Sequence, residues 1–179
     1  MIKKIVDGMF HDQFDARWRE QKQQREAVVH HHYRIMVESA ALPTHADLIA
    51  NYGEGHVFPR WDESEIELHE SLRKLTPPMG EVTLLLKTFG CPITAEKVIK
   101  WADEHNHRLV FPWEREAFFK ANLDLRLTLD ILDLGSFVLD INYRPCGRCL
   151  LGRSDMRYLG ASWLDIEWCE NPGFLFASK

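Results

Sequence analysis

The segment Thr76-Pro77-Pro78-Met79-Gly80 most constrains the fold, because two prolines and a glycine interrupt any helix or strand that reaches them. Upstream of this segment apolar residues recur at helical spacing, whereas downstream short apolar runs alternate with glycine, asparagine and proline. The sequence therefore predicts an α+β protein. Its predicted parts are a helical N-terminal region, residues 1–80, and a compact C-terminal module, residues 81–179, with a mainly antiparallel sheet and two helices.

One long helix is predicted at the start of the N-terminal region. Phe10, Phe14 and Trp18 follow one another at intervals of four residues, which is the spacing of one helix face. Apolar positions resume after a polar stretch, and Pro43 ends the pattern. These observations predict a helix over residues 9–41.

Two shorter helices complete the predicted N-terminal region. Thr44 is placed to cap a helix that runs to Tyr52. A third helix is predicted after Asp62, because Glu65 stands where it would complete a capping box.

The C-terminal module is predicted to begin with a buried strand over residues 81–87. Thr94 is placed to cap a first helix, and Pro112 fits the first turn of a second one. After Leu127 the apolar runs are short, and two of them alternate with polar residues as half-buried antiparallel strands do. The predicted strands are Ile131–Leu134, Phe137–Tyr143, Arg157–Leu159, Ser162–Trp168 and Phe174–Ala177.

Composition and charge restrict the function classes. The chain of 179 residues is 45% hydrophobic and has a formal net charge of −5, whereas a general nucleic-acid binder is usually basic. It contains no apolar run of about 18 residues that would span a membrane. Its start lacks the apolar segment of a signal peptide. Four cysteines without a secretion signal then predict reduced thiols and a cytoplasmic protein.

Several segments after residue 80 occur in a characteristic order. They are Val82–Leu86, Gly90, Ile93–Ile99, Arg108, Pro112–Phe119, Leu134-Gly135-Ser136, Tyr158-Leu159-Gly160, Trp163-Leu164-Asp165 and Phe174–Lys179. By the order of these segments, residues of about 81–179 resemble a group of small uncharacterised bacterial proteins, many from candidate phyla. That group is itself similar to the C-type-lectin and formylglycine-generating-enzyme architecture. The resemblance implies no catalytic residues, because the group has no established activity and the catalytic pair of the formylglycine enzymes has no counterpart here.

The motif Cys146-Gly147-Arg148-Cys149 has the clearest chemistry, because two thiols at this spacing chelate zinc or form a redox disulfide. It falls between two predicted strands and is therefore expected in a hairpin loop. Cys169 is a candidate third zinc ligand. Reduced thiols without a metal are the alternative, and a catalytic redox pair is disfavoured because no helix is predicted to begin after the first cysteine. The candidates for a fourth ligand are Cys91, His105 and His107.

The same predicted hairpin is rich in arginine. Arg144, Arg148, Arg153 and Arg157 are opposed within it only by Asp155. Arginine recognises phosphates and carboxylates through its planar fork, so a nucleic-acid backbone or an acidic protein face is a candidate partner. A charged loop that only faces solvent is the alternative.

Two further features concern aromatic and imidazole side chains. Trp61 follows Pro59 and Arg60 in a loop-like stretch, and exposed tryptophan beside arginine is typical of protein interfaces. The triplet His30-His31-His32 lies inside the predicted long helix, where consecutive side chains point in three directions. The triplet is therefore not expected to bind a single metal ion.

These observations favour a non-catalytic binding protein that acts through protein–protein interaction. The chain lacks a Gly-rich phosphate loop, a nucleophile elbow and an H-E-x-x-H metal motif. An inhibitor or adaptor that docks on a larger bacterial complex fits, for example a phage or mobile-element protein. The alternative is a zinc-stabilised module that contacts RNA or DNA through the Arg144–Arg157 hairpin, and an enzyme assembled from scattered residues is a third hypothesis.

Overall fold

The computed structural model describes residues 30–42, 44–52, 57, 66–122, 129–153, 156–169 and 172–179. They form three helices: α1 (His45–Tyr52), α2 (Ala95–Glu104) and α3 (Pro112–Ala121). The strands are β1 (His30–Val37), β2 (Glu67–Leu68), β3 (Gly80–Lys87), β4 (Ile93–Thr94), β5 (His107–Leu109), β6 (Ile131–Leu139), β7 (Pro145–Arg153), β8 (Met156–Trp163), β9 (Glu167–Trp168) and β10 (Gly173–Ser178).

Eight of these strands form one mixed sheet. Its main path runs β1-β3-β10-β6-β7-β8, while β2 pairs with β6 and β5 pairs with β10. Strands β10 and β6 are parallel, and the other pairs in this sheet are antiparallel. A second, two-stranded sheet joins β4 to β9.

The predicted α+β architecture with a helical N-terminal region is wrong, because the described residues are mostly sheet with three short helices. The predicted helix over residues 9–41 ends in a stretch that instead forms β1 and pairs with β3 along its whole length. Tyr33, Ile35 and Val37 alternate with exposed residues, which is the period of a strand. Their aromatic and β-branched side chains also favour extended backbone. The earlier part of the predicted helix lies outside the described residues.

The third predicted helix is also wrong. Glu67 and Leu68 form β2 against β6, and the chain then turns through two backbone bonds of the i to i+3 type. Leu72 is buried, so its side chain anchors the turn rather than one face of a helix. An apolar residue that the sequence pattern assigned to a helix face is therefore buried in a turn instead.

Local signals at helix ends are confirmed. The Thr44 hydroxyl accepts the Asp47 N–H at 3.2 Å, and the Thr94 hydroxyl accepts the Lys97 N–H at 3.5 Å. Pro112 is the first residue of α3. The predicted strand over residues 81–87 is confirmed as most of β3.

The two strands predicted between residues 131 and 143 are one strand, β6, whose register shifts between Leu132 and Phe137. Gly135 therefore lies inside the strand and not in a turn. A Cβ at this position would overlap the Val110 carbonyl oxygen, so the close approach requires glycine.

Helices cover both faces of the large sheet. One large hydrophobic cluster contains Leu48 of α1 and Phe118 of α3, and a second large cluster contains Val98 and Ala102 of α2. Adjacent residues of β3 divide between these two, since Leu84 packs in the first cluster and Leu85 in the second. A small third cluster joins Val138 and Cys146. Among the described helices, none is long and apolar enough to cross a membrane.

Candidate protein-binding surface

The C-x-x-C motif does not lie in a hairpin loop as expected, because it forms part of strand β7. Cys146 pairs with Val138 and Trp163, and Cys149 pairs with Leu132 and Gly160. Both thiols are buried, and β7 pairs with β8 without interruption through the motif. The turn that connects β6 to β7 comes earlier in the chain, at residues 140–144.

Strand geometry separates the two thiols. Side chains three positions apart in a strand project from opposite faces, and Cys149 and Cys146 accordingly pack in different hydrophobic clusters. Burial raises the pKa of Cys149 to about 12 and also raises the pKa of Cys146, which disfavours the thiolates that bind zinc. The third candidate ligand, Cys169, is exposed after β9. Within the described ranges, no group of three or more His, Cys, Asp or Glu residues is arranged to hold a metal ion.

The four arginines of the predicted basic hairpin are not brought together. Arg144 precedes β7, whereas Arg153 is the last residue of β7. Arg157 lies near the start of β8, opposite Gly152. Nine residues of strand correspond to about 30 Å, so these arginines lie at opposite ends of the hairpin. Arg148 between them is fully buried. Trp61, the other predicted partner-binding residue, lies outside the described residues.

Exposed apolar side chains flank the turn between β6 and β7 and the adjacent end of β8. Ile141 is 85% exposed and Tyr143 is 82% exposed, both in the turn between β6 and β7. Leu139 at the end of β6 is 44% exposed, and Trp163 at the end of β8 is 46% exposed. We call these four side chains the turn surface. Leu139 and Trp163 project from opposite faces of the sheet, because Val138, the neighbour of Leu139, pairs with Cys146, which in turn pairs with Trp163. Exposed apolar side chains around one turn mark a candidate interaction site.

The turn itself is fixed by the carboxylate of Asp140. One of its oxygens accepts the backbone N–H groups of Asn142 at 2.8 Å and Arg144 at 2.9 Å. The backbone of Asp140 also donates to the Arg144 carbonyl and accepts from Tyr143, each at 2.9 Å. Tyr143 has a φ of 60°, which is an uncommon conformation for a bulky residue. The hydrogen bonds of the turn thus hold Tyr143 in a conformation that directs its ring away from the core.

Trp163 is held by the same carboxylate and by Arg144. Its indole N–H donates to Asp140 Oδ2 at 3.1 Å, and the Arg144 guanidinium lies 4.3 Å from the ring centroid. Arg144 in turn donates two bonds to the Asp165 carboxylate, at 2.7 and 2.9 Å. Such a forked pair over an aromatic face fixes the orientation of both groups. The indole is therefore exposed yet conformationally restrained.

The surroundings of the turn surface are acidic. Asp140 accepts the indole N–H of Trp163 and Asp165 accepts from the Arg144 guanidinium, so two carboxylates accompany this one guanidinium. The hydrogen bond from the Arg144 backbone N–H lowers the pKa of Asp140, and hydrogen bonds from the Arg144 side chain lower the pKa of Asp165. Both carboxylates are therefore ionised at neutral pH, and the surface has a negative border.

Sequence reasoning identified Arg144 but missed the rest of this surface. The alternation over Phe137–Tyr143 predicted a continuous strand, which would have placed Ile141 and Tyr143 within the sheet. The missed signal is Asp140 two residues before Asn142, because aspartate and asparagine favour turns in which the side chain accepts a backbone N–H.

A buried ionic cluster beneath α3 has a structural role. Arg115 is fully buried and donates to Asp133 at 3.0 Å, Ser136 at 3.1 Å and Glu116 at 2.9 Å. The Tyr52 hydroxyl donates to the other oxygen of Glu116 at 3.3 Å. These bonds connect α1, α3 and β6. Removing either the cationic or the anionic partner would leave a buried charge uncompensated.

Under the third hypothesis, that the chain is an enzyme, the candidate active site is a cavity of about 1110 Å³ beside α2. Its lining includes His69 and Ser71, whose imidazole and hydroxyl lie 2.8 Å apart. The same imidazole nitrogen also accepts the Ser71 backbone N–H at 3.3 Å, so this contact belongs to a local turn. The nearby Asp103 carboxylate is paired with Lys179 at 2.9 Å and is not positioned by a hydrogen bond to the imidazole in the manner of a triad.

Comparison with known proteins leaves the turn surface as the main guide to function. The resemblance of residues 81–179 to uncharacterised bacterial proteins, and to the C-type-lectin and formylglycine-enzyme architecture, stays a prediction. The chain has no significant match among protein-family models, curated proteins or solved structures.

Proposed function

We propose that this chain is a non-catalytic binding protein whose turn surface docks into an apolar groove on another protein. The observation that carries the proposal is the restrained exposure of Trp163 and Tyr143. Aromatic side chains that are already fixed in one conformation lose little entropy on binding. Tryptophan, tyrosine and arginine are also the residues that contribute most to protein interfaces.

The charges at the border of the surface indicate the partner's chemistry. The carboxylates of Asp140 and Asp165 exceed the single guanidinium of Arg144 by one charge. A partner groove bordered by lysine or arginine would complement them, which accelerates association at low ionic strength. An adaptor or inhibitor that docks on a larger complex by this route needs no cofactor.

The nucleic-acid alternative receives less support from the same geometry. Its proposed basic hairpin contains Arg148, which is buried, and Arg144, whose fork is engaged by Asp165. A phosphate backbone would also meet the acidic border of the turn surface. The zinc that was to stabilise the module lacks a convergent pair of thiols, since Cys146 and Cys149 lie on opposite faces of β7.

Quantitative affinity capture from the cell of origin tests the proposal. The baits are the wild-type chain, the double variant Ile141→Ser/Tyr143→Ser and a control double variant, Met36→Ser/Met79→Ser. Met36 is 57% exposed and Met79 is 54% exposed, so the control removes two exposed apolar side chains away from the turn. The partner is expected to be captured by the wild type and the control, and to fall by roughly 30-fold or more with the turn variant.

The identity of the captured species also discriminates between occupants. A protein with a basic border around an apolar groove supports the proposal. Equal capture by the turn variant and the wild type would overturn it, as would capture of nucleic acid alone. Recovery of a second copy of this chain would replace the proposed partner by self-association.

A further inference from the structure

Three consecutive histidines open strand β1, and the strand divides them between the two faces of the sheet. The predicted helix had spread His30, His31 and His32 in three directions, but in a strand residues two apart share a face. The rings of His30 and His32 accordingly lie with their centroids 5.6 Å apart. His31 points to the other face, where its ring contacts Tyr33.

The spacing of these two rings suits a shared metal ion. An ion held at about 2.0–2.1 Å from one nitrogen of each imidazole, in tetrahedral geometry, would place the two centroids at about 5 Å. The observed 5.6 Å is within a small side-chain rotation of that distance. Both side chains are exposed, so the ion has direct access from solvent.

Imidazole is a ligand that suits zinc, copper and nickel. The strand presents two exposed imidazoles on the same face, so one ion can bind both of them.

We propose that His30 and His32 together bind one divalent transition-metal ion, with water completing its coordination. The two imidazoles supply a bidentate nitrogen site, and solvent supplies the other ligands. This site is independent of the turn surface and of the C-x-x-C thiols. Failure of one proposal therefore leaves the other unaffected.

Calorimetric titration of the full chain with Zn²⁺ and Ni²⁺ tests the site, with His31→Ala as the matched control. The wild type and His31→Ala are expected to bind one equivalent with the same affinity. His30→Ala and His32→Ala are each expected to weaken binding by roughly 100-fold, because each removes the intramolecular second ligand. Unchanged thermal melting of the metal-free variants would show that these losses are not caused by unfolding.

Lys87 provides a second readout, because it pairs with His30 across the strands and its ammonium repels a bound cation. Lys87→Met is expected to raise the affinity severalfold, and an unchanged affinity would place the ion elsewhere and overturn the proposal. Absence of binding to the wild type, or equal weakening by His31→Ala and His32→Ala, would overturn it as well.

Discussion

At the scale of single residues, Asp140 organises the candidate site. Its carboxylate accepts two backbone N–H groups of the turn and the indole N–H of Trp163. One side chain therefore fixes both the backbone that presents Tyr143 and the ring that stands beside it. Hydrogen bonds to Asp140, rather than packing in the hydrophobic core, therefore orient the exposed aromatic side chains.

The dependence of this arrangement on pH follows from the lowered pKa of Asp140. A carboxyl whose folded pKa lies below its ordinary value of 3.8 stabilises the fold above that value, and the stabilisation is lost as the pH falls through the folded pKa. The indole N–H resonance of Trp163, assigned with a Trp163→Phe variant, is expected to stay constant from about pH 7 to about pH 4 and to shift below. A midpoint above about pH 5 would show that Asp140 does not hold the ring.

The limits of sequence reasoning are also visible at this scale. Thr44, Thr94 and Pro112 were identified because a cap or a first-turn proline acts on its immediate neighbours in the chain. The exposure of Ile141 was not predicted from the sequence. The alternation of apolar and polar residues around it is the same whether the strand continues or a turn follows it. Arg148 was expected at the surface, since only the packing of the sheet shows that its side chain is buried.

At the scale of elements, strand β1 decides the class of the fold. Its residues are compatible with a helix by spacing, but pairing with β3 along its whole length buries Ile35 and Val37 on one face. This pairing joins residues about fifty positions apart in the chain, so no local pattern reveals it. Tertiary pairing therefore overrode a helical pattern, as commonly happens for short apolar stretches.

A pair of neighbouring substitutions tests this strand. Ile35 is 4% exposed and Met36 is 57% exposed, which a strand explains because adjacent side chains project from opposite faces. Ile35→Ala is expected to lower the free energy of unfolding by about 2–5 kcal/mol, and Met36→Ala by less than about 0.5 kcal/mol. Urea unfolding followed by circular dichroism measures both, and similar losses for the two variants would contradict the assigned register.

At the scale of the whole molecule, the sheet separates buried charges from exposed apolar side chains. Buried charges such as Arg115 and Asp133 connect a helix to the sheet, whereas the exposed apolar side chains lie at the ends of β6 and β8. The C-x-x-C motif belongs to the buried part, because Cys149 is fully buried between neighbouring strands. The proposed interaction surface combines segments that lie twenty residues apart in the sequence, at Tyr143 and Trp163.

Photo-crosslinking tests the central claim, that the turn surface meets a partner protein, most directly. A photoreactive amino acid replaces Tyr143 in one chain and the exposed Met79 in another, and both are irradiated in the cell of origin. The account predicts one discrete adduct from position 143, no such adduct from position 79, and competition by purified wild-type chain but not by Ile141→Ser. The same adducts from both positions, or equal competition by Ile141→Ser, would contradict it.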